Sequence, residues 1–182
     1  MVVPVINNSV EVSASDYFLS TVPIPVAENG YYVFPVNLVK RVLEDDGLSD
    51  ANLVHSASTE KLCELFGADA ALYIIIKRWE AQYIVISAQV TVELTYVLKE
   101  GVTGEEIWKD EQTVVYSPQG QGGGGGAIGA IIAMAIAAAI TKANPNYIPL
   151  ARQANQKAFA YPGPGFPHGP YAKVKEKTPE KK

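Results

Sequence analysis

Residues 120–125 read Gly-Gln-Gly-Gly-Gly-Gly, which satisfies the G-x-G-x-x-G spacing. Glycines so placed let a pyrophosphate approach the backbone at the N-terminus of a following helix. The match is compositional, because a run of five glycines, Gly122 to Gly126, supplies most of it. No Lys-Ser/Thr pair follows, as a Walker loop requires, and no strand with a terminal acidic residue comes after the next helix. A flexible connection is therefore expected at 117–126, without a nucleotide cofactor.

Other reactive residues are sparse. His55 and His168 are far apart in the chain, whereas a metal site needs three or four convergent ligands. Glu44-Asp45-Asp46-Gly47 lacks the alternating spacing of a calcium loop and reads as a solvated helix end. Cys63 is the single cysteine, which forbids an internal disulfide and a cysteine-based zinc cluster. Beside Leu62 it reads as a buried structural thiol. No Ser/His/Asp or Cys/His arrangement can be assembled, so neither an enzyme nor a metal or other cofactor is expected.

Two sets of residues could bind something. Asn7, Asn8, Ser9 and Asn37, with Lys77, Arg78 and Trp79, stand at the carboxyl ends of expected parallel strands, where open α/β sheets hold ligands. They would line a small-ligand cleft, or else serve as caps and turn residues. The second set would contact partners. Ser87, Gln89, Thr91, Glu93 and Thr95 form the polar face of an alternating strand. Gly129, Ala133 and Ala137 recur every fourth residue of an apolar helix, leaving one face small enough for close approach.

The elements that would position these residues follow from periodicity. Val2 to Ile6 is a short apolar strand closed by Asn7-Asn8-Ser9. Ser15 or Asp16 caps a helix carrying Phe18, Leu19, Val22 and Val26, interrupted by Pro23 and Pro25 and stopped at Gly30. Residues 31–36, β-branched and aromatic, are expected to form a second strand. Asn37 would cap a helix over 38–46, and Ser58 another over 59–66 that Gly67 ends. Residues 70–78 are nearly all apolar, as in a central strand, and 83–98 alternate strictly. Gly101 and Gly104 turn the chain into a strand over 105–116. Helices are expected at 127–140 and 147–160.

The sum is one α/β domain over 1–160. A mixed sheet of about five strands, in the order β-α-β-α-α-β-β-β-α-α, would pack against helices. Residues 161–182, rich in Pro and Gly and then in Lys and Glu, would form an extended tail.

Composition narrows the functional classes. Of 182 residues 48% are hydrophobic and 19% charged, enough for a sizeable core and against wholesale disorder. The net charge of −4 and absence of a basic cluster argue against a nucleic-acid partner. The apolar run 127–140 holds fourteen residues, short of the roughly twenty that a membrane span needs. No signal peptide is visible after Met1, as expected of a chain whose targeting segment was removed upstream.

Several segments, in order, carry a resemblance. Val3-Pro4-Val5-Ile6-Asn7-Asn8-Ser9, Gly30-Tyr31-Tyr32-Val33-Phe34-Pro35-Val36 and Leu43-Glu44-Asp45-Asp46-Gly47 resemble a family of bacterial lipoproteins best known from Neisseria. Phe66-Gly67-Ala68-Asp69-Ala70-Ala71-Leu72-Tyr73 and Thr103-Gly104-Glu105-Glu106-Ile107-Trp108 extend the likeness. It runs from about Val2 to Ala160 of this chain. The family has no established activity.

The Gly-Ala-Asp entry into the third strand and the Thr-Gly-Glu…Trp hairpin are also similar to the amino-terminal domain of TolB and to the curli-secretion lipoprotein. That resemblance implies an α/β domain anchored through an upstream lipidated cysteine to the outer membrane and facing the periplasm. It further implies a non-catalytic protein that assembles with itself, a dimer first, or docks as an adaptor on other envelope proteins of an assembly or transport system. The alternative is a small-ligand-binding module at the strand ends.

Overall fold

A computed structural model describes residues 1–84, 87–116, 147–159 and 165–172, with the side chains of 81–89 and 116 excepted. The elements in chain order are β1 (Ile6–Asn7), α1 (Ala14–Leu19), α2 (Pro23–Glu28), α3 (Val36–Asp45), α4 (Ala51–Ser56), α5 (Thr59–Phe66), β2 (Ala70–Ile84), β3 (Ser87–Glu100), β4 (Glu106–Tyr116) and α6 (Ile148–Phe159). The sheet runs β1-β2-β3-β4. β1 lies parallel to β2, and the other pairs are antiparallel. The fold is thus a mixed α/β sheet with packed helices.

Local chemistry explains the clearest elements. The Ser58 side chain accepts the Lys61 N–H at the start of α5, and Gly67 ends that helix at φ +63°. On β3 the alternation separates two faces. Val92, Leu94, Tyr96 and Leu98 join Leu72, Ile74 and Trp79 of β2 beneath α1, α2 and α6. On the opposite face Ala71 and Tyr73 pack on Val39, Leu43, Val54, Leu62 and Cys63 from α3, α4 and α5. Cys63 is buried there with a free thiol. Fully burying side chains such as Phe18, Leu43 and Leu94 contributes about 1.5–3 kcal/mol each.

The structure corrects the expectation of about five strands to four among the described residues. Residues 31–36 make no ladder. Gly30, at φ +87°, turns the chain so that its carbonyl accepts the Tyr171 N–H at 2.9 Å. Pro35 then presents its carbonyl to the amides of Leu38 and Val39, which draws Val36 into α3. The alternation that suggested a strand is used otherwise: Tyr31, Val33 and Val36 pack on one core and Phe34 on the other. Pro35, not Asn37, stands at the N-cap of α3. Helix α4, started by the Asp50 side chain on the Asn52 N–H, is an addition to the expected order.

β2 also runs past the expected stop at Arg78. An irregularity between Ile76 and Arg78 shifts the register by one, so that Trp79 returns to the core opposite Val92. Part of the expected tail reaches the core as well. Residues 165–172 are not helical, yet Phe166 is buried with its ring 4.7 Å from Trp108 and 4.8 Å from Phe159. Backbone bonds from Gly169 N–H to Asn29 O and from Tyr171 N–H to Gly30 O, both 2.9 Å, hold this segment down.

Candidate functional site

The sheet face away from α1, α2 and α6 carries most of the charge on the strands. The register lines up Ile75 with Thr95 and Glu111, Arg78 with Glu93 and Thr113, and Glu80 with Thr91 and Val115. Lys77 sits in the irregularity of β2, and its Nζ reaches Glu111 Oε1 on β4 at 3.0 Å. β2 and β4 are two strand spacings apart, roughly 9.5 Å. Only two long side chains can meet across that gap, and only over a small residue, here Thr95. The hydrogen bond and charge of Lys77 hold the Glu111 carboxyl below its ordinary range. Arg78 Nε pairs with Glu80 Oε1 at 3.3 Å.

Thr91, Glu93 and Thr95 therefore share one face, as expected, but that face is drier than the alternation suggested. Thr91 is 4% and Thr95 5% exposed, and Glu93 is half-buried. Ser87 and Gln89 belong to the same strand, and their side chains lie outside the described residues. Gly129, Ala133 and Ala137, like the glycine-rich 117–126, also fall outside them.

The residues expected to line a ligand cleft take on different tasks, with Asn7 at the end of β1 and Asn8 just after it, beside Ile76 of β2. Asn7 builds a turn: its Oδ1 accepts the Ser9 N–H at 3.0 Å and the Ser9 hydroxyl at 2.6 Å, while its Nδ2 donates to Glu11 O at 2.7 Å. Asn8 continues the ladder through its N–H to Ile76 O at 2.9 Å. Asn37 lies on the first turn of α3 and lines an open groove of about 300 Å³ with Asp16, Leu19, Lys40, Arg41 and Glu44. Within that groove Lys40 pairs with Asp16 at 2.7 Å. Lys77 and Arg78 are engaged on the sheet face. A second cavity, of about 30 Å³ and apolar, lies among Val26, Tyr31, Leu72, Leu98 and Phe166. It has room for about one water molecule.

His55 is half-buried, its Nε2 2.9 Å from Pro4 O and its ring edge-on to Tyr73. Desolvation lowers its pKa from the ordinary value. No cluster of metal-ligating side chains occurs among the described residues.

Spacing did not reveal a buried polar chain. Tyr96 OH donates to Asn155 Oδ1 at 2.8 Å, and Asn155 Nδ2 donates to Thr21 Oγ1 at 2.8 Å and to Thr21 O at 3.2 Å. It ties β3, α6 and α1 together in the core. The available signal was an asparagine inside the Ala151/Ala154/Ala158 stripe of α6.

The strand expected over 105–116 is β4, last in the described sheet, and its Ile107 and Val115 are 50% and 52% exposed.

The geometry is that of a mixed sheet with helices on both sides and ion pairs on one of its faces. The comparisons with known proteins give the chain a family. The model of the family described as "Putative lipoprotein GNA1162-like" matches residues 1–171, and the chain belongs to that family. It is 32% identical over 114 residues to "Putative lipoprotein NMB1124/NMB1162" of Neisseria meningitidis, an alignment covering 63% of this chain. The match spans about half of that relative's length, 53%.

Among solved structures, lipoprotein GNA1162 of Neisseria meningitidis superposes with TM-score 0.63 at 27% identity, over 76% of this chain and 94% of that one. A PelC dodecamer variant from Paraburkholderia phytofirmans shares the fold, with TM-score 0.53 at 11% identity over 86% of this chain and 81% of that one.

Proposed function

We propose that this chain is the body of an outer-membrane-anchored lipoprotein facing the periplasm, and that it acts without catalysis by associating with itself and docking on other envelope proteins. The observation that carries this reading is the pairing of the charged sheet face beside an exposed edge strand. Lys77, Arg78, Glu80 and Glu111 are held by one another, so no convergent reactive set faces solvent there. Ile107 and Val115 stand half-exposed beside them. Membership in a lipoprotein family supports the anchor and the envelope location, and the PelC relative is described as a dodecamer.

The test is crosslinking of the full-length protein in living cells, followed by identification of what co-purifies. Reproducible envelope proteins, or a ladder of the protein with itself, are the expected products. A monomer with nothing attached would sink the reading and direct attention to small ligands. Asn7 is committed to its own turn and Lys77 to Glu111, which leaves that alternative fewer free polar groups.

A further inference from the structure

The geometry points to β4 as a self-pairing edge: two copies of the chain join antiparallel through this strand, with a two-fold axis at Glu111. The inference rests on the self-associating reading above and is narrower than it.

The first support is the direction of the backbone groups. Leu72 bonds toward the β1 side of β2, donating to Met1 O at 2.9 Å and accepting from Val3 N–H at 3.1 Å. Ile76 O likewise accepts from Asn8 N–H. Peptide groups alternate in direction along a strand. With the observed registers, Thr95 and Val97 therefore face β2, while Leu94, Tyr96 and Leu98 face β4. The Glu100 N–H bond to Glu105 O agrees with that phase. It follows that Lys109, Glu111, Thr113 and Val115 aim their N–H and C=O groups away from β3, whereas Ile107 sits in the register shift opposite Leu98 and Lys99. Among the described residues β4 is the last strand of the sheet, so within them these groups have no ladder partner.

The second support is the sequence on that edge. Residues 107–115 read Ile-Trp-Lys-Asp-Glu-Gln-Thr-Val-Val, with apolar pairs mirrored about Glu111. An isologous contact needs such self-complementarity, because each residue meets its mirror position. A two-fold at Glu111 sets Trp108 against Val114, and brings the half-exposed Ile107, at the register shift, next to Val115. It also sets Asp110 against Gln112, a carboxylate and an amide that already hydrogen-bond within one strand at 2.6 Å. Lys109 meets Thr113 and is diagonal to Glu111. The two central glutamates face each other, each held by its own Lys77 at 3.0 Å. Moving the axis to Asp110 would oppose half-buried carboxylates, moving it to Lys109 would oppose the lysines, and moving it the other way to Gln112 would set Asp110 against Val114 and Lys109 against Val115.

The test uses single-cysteine substitutions in the full chain, with buried Cys63 retained as the internal control. A Glu111→Cys variant under mild oxidation is expected to give a covalent dimer, because mirrored residues at the axis lie about 5.5 Å apart. Thr113→Cys is expected not to link, since its mirror copy is displaced by four residues, about 13 Å. Sedimentation of the unmodified protein should show a dimer that Val115→Lys weakens by about tenfold. That position is exposed, and circular dichroism confirms that the variant is folded.

Three results overturn the inference. A mixture of Lys109→Cys and Glu111→Cys that links, when Glu111→Cys alone does not, refutes the axis. An oligomer untouched by Val115→Lys and unlinked at Glu111 places self-association on another surface, leaving the wider reading standing. A monomer that still captures envelope proteins in cells removes self-pairing but retains the adaptor role.

Discussion

Replacing Asn155 with alanine removes the middle of the buried chain Tyr96–Asn155–Thr21. The Tyr96 hydroxyl then loses its acceptor in a site with no exposure, and Thr21 loses the Nδ2 donor to its carbonyl and hydroxyl. Thr21 Oγ1 keeps its own bond to Phe18 O at 2.7 Å, so the orphaned groups reduce to the phenol and one carbonyl. Leaving a buried polar group unpaired costs about 1–3 kcal/mol, and the space left by the amide adds to that. A loss of about 3–4 kcal/mol is expected, or roughly 6–16 °C in Tm for a chain of this size.

Tyr96→Phe leaves one buried acceptor, Asn155 Oδ1, unpaired and opens no cavity, so it should cost about 1–2 kcal/mol, less than Asn155→Ala. Combining the two substitutions should cost less than their sum, because the phenol whose acceptor is lost is no longer present. Urea denaturation of the four proteins measures all three values. Equal losses for Asn155→Ala and Tyr96→Phe, or strict additivity, would refute the idea that unsatisfied polarity sets the penalty.

Three further outcomes follow from the same structure. Burial, with the nearby Asp110 charge, raises the Tyr96 pKa well above its ordinary value near 10. The folded state thus keeps a proton that the unfolded state releases. This stability is complete below about pH 10 and falls as pH rises from there toward the folded pKa, so Tyr96→Phe should flatten the alkaline limb of a stability profile. Gly30→Ala places a Cβ onto the backbone of Ala172 at a residue with φ +87°. It should destabilise by more than about 1 kcal/mol and speed hydrogen exchange of the Gly169 and Tyr171 amides, whereas unchanged exchange would show the segment 165–172 to be held elsewhere. Lys77→Ala should cost less than about 1 kcal/mol, and less still in high salt, because the Lys77–Glu111 pair is more than a third exposed. A larger loss, measured by thermal denaturation at two ionic strengths, would contradict that assignment.

Local signals sufficed wherever the forces were local. Ser58 and Gly67 bound α5 because a side-chain cap and a left-handed glycine act within one turn. The alternation of β3 told its two faces apart because side chains in a strand change sides at every residue. The single cysteine was equally plain from the chain alone.

The rest depended on which distant surfaces met. Residues 31–36 have the composition of a strand, and an edge on which to pair is a property of the whole sheet. With Gly30 bonded to Tyr171, no ladder forms there. Phe166 stands amid Pro and Gly, whose composition indicates extended chain and cannot reveal the hollow beside Trp108 and Phe159 that receives the ring. Asn7, Asn37 and Lys77 are far apart in sequence, and only the folded chain shows that one closes a turn, one lines a groove and one crosses the sheet to Glu111. Capping and alternation act over a few bonds and are written in neighbouring residues, whereas burial, ion pairing and edge exposure arise only when segments separated by tens of residues come together.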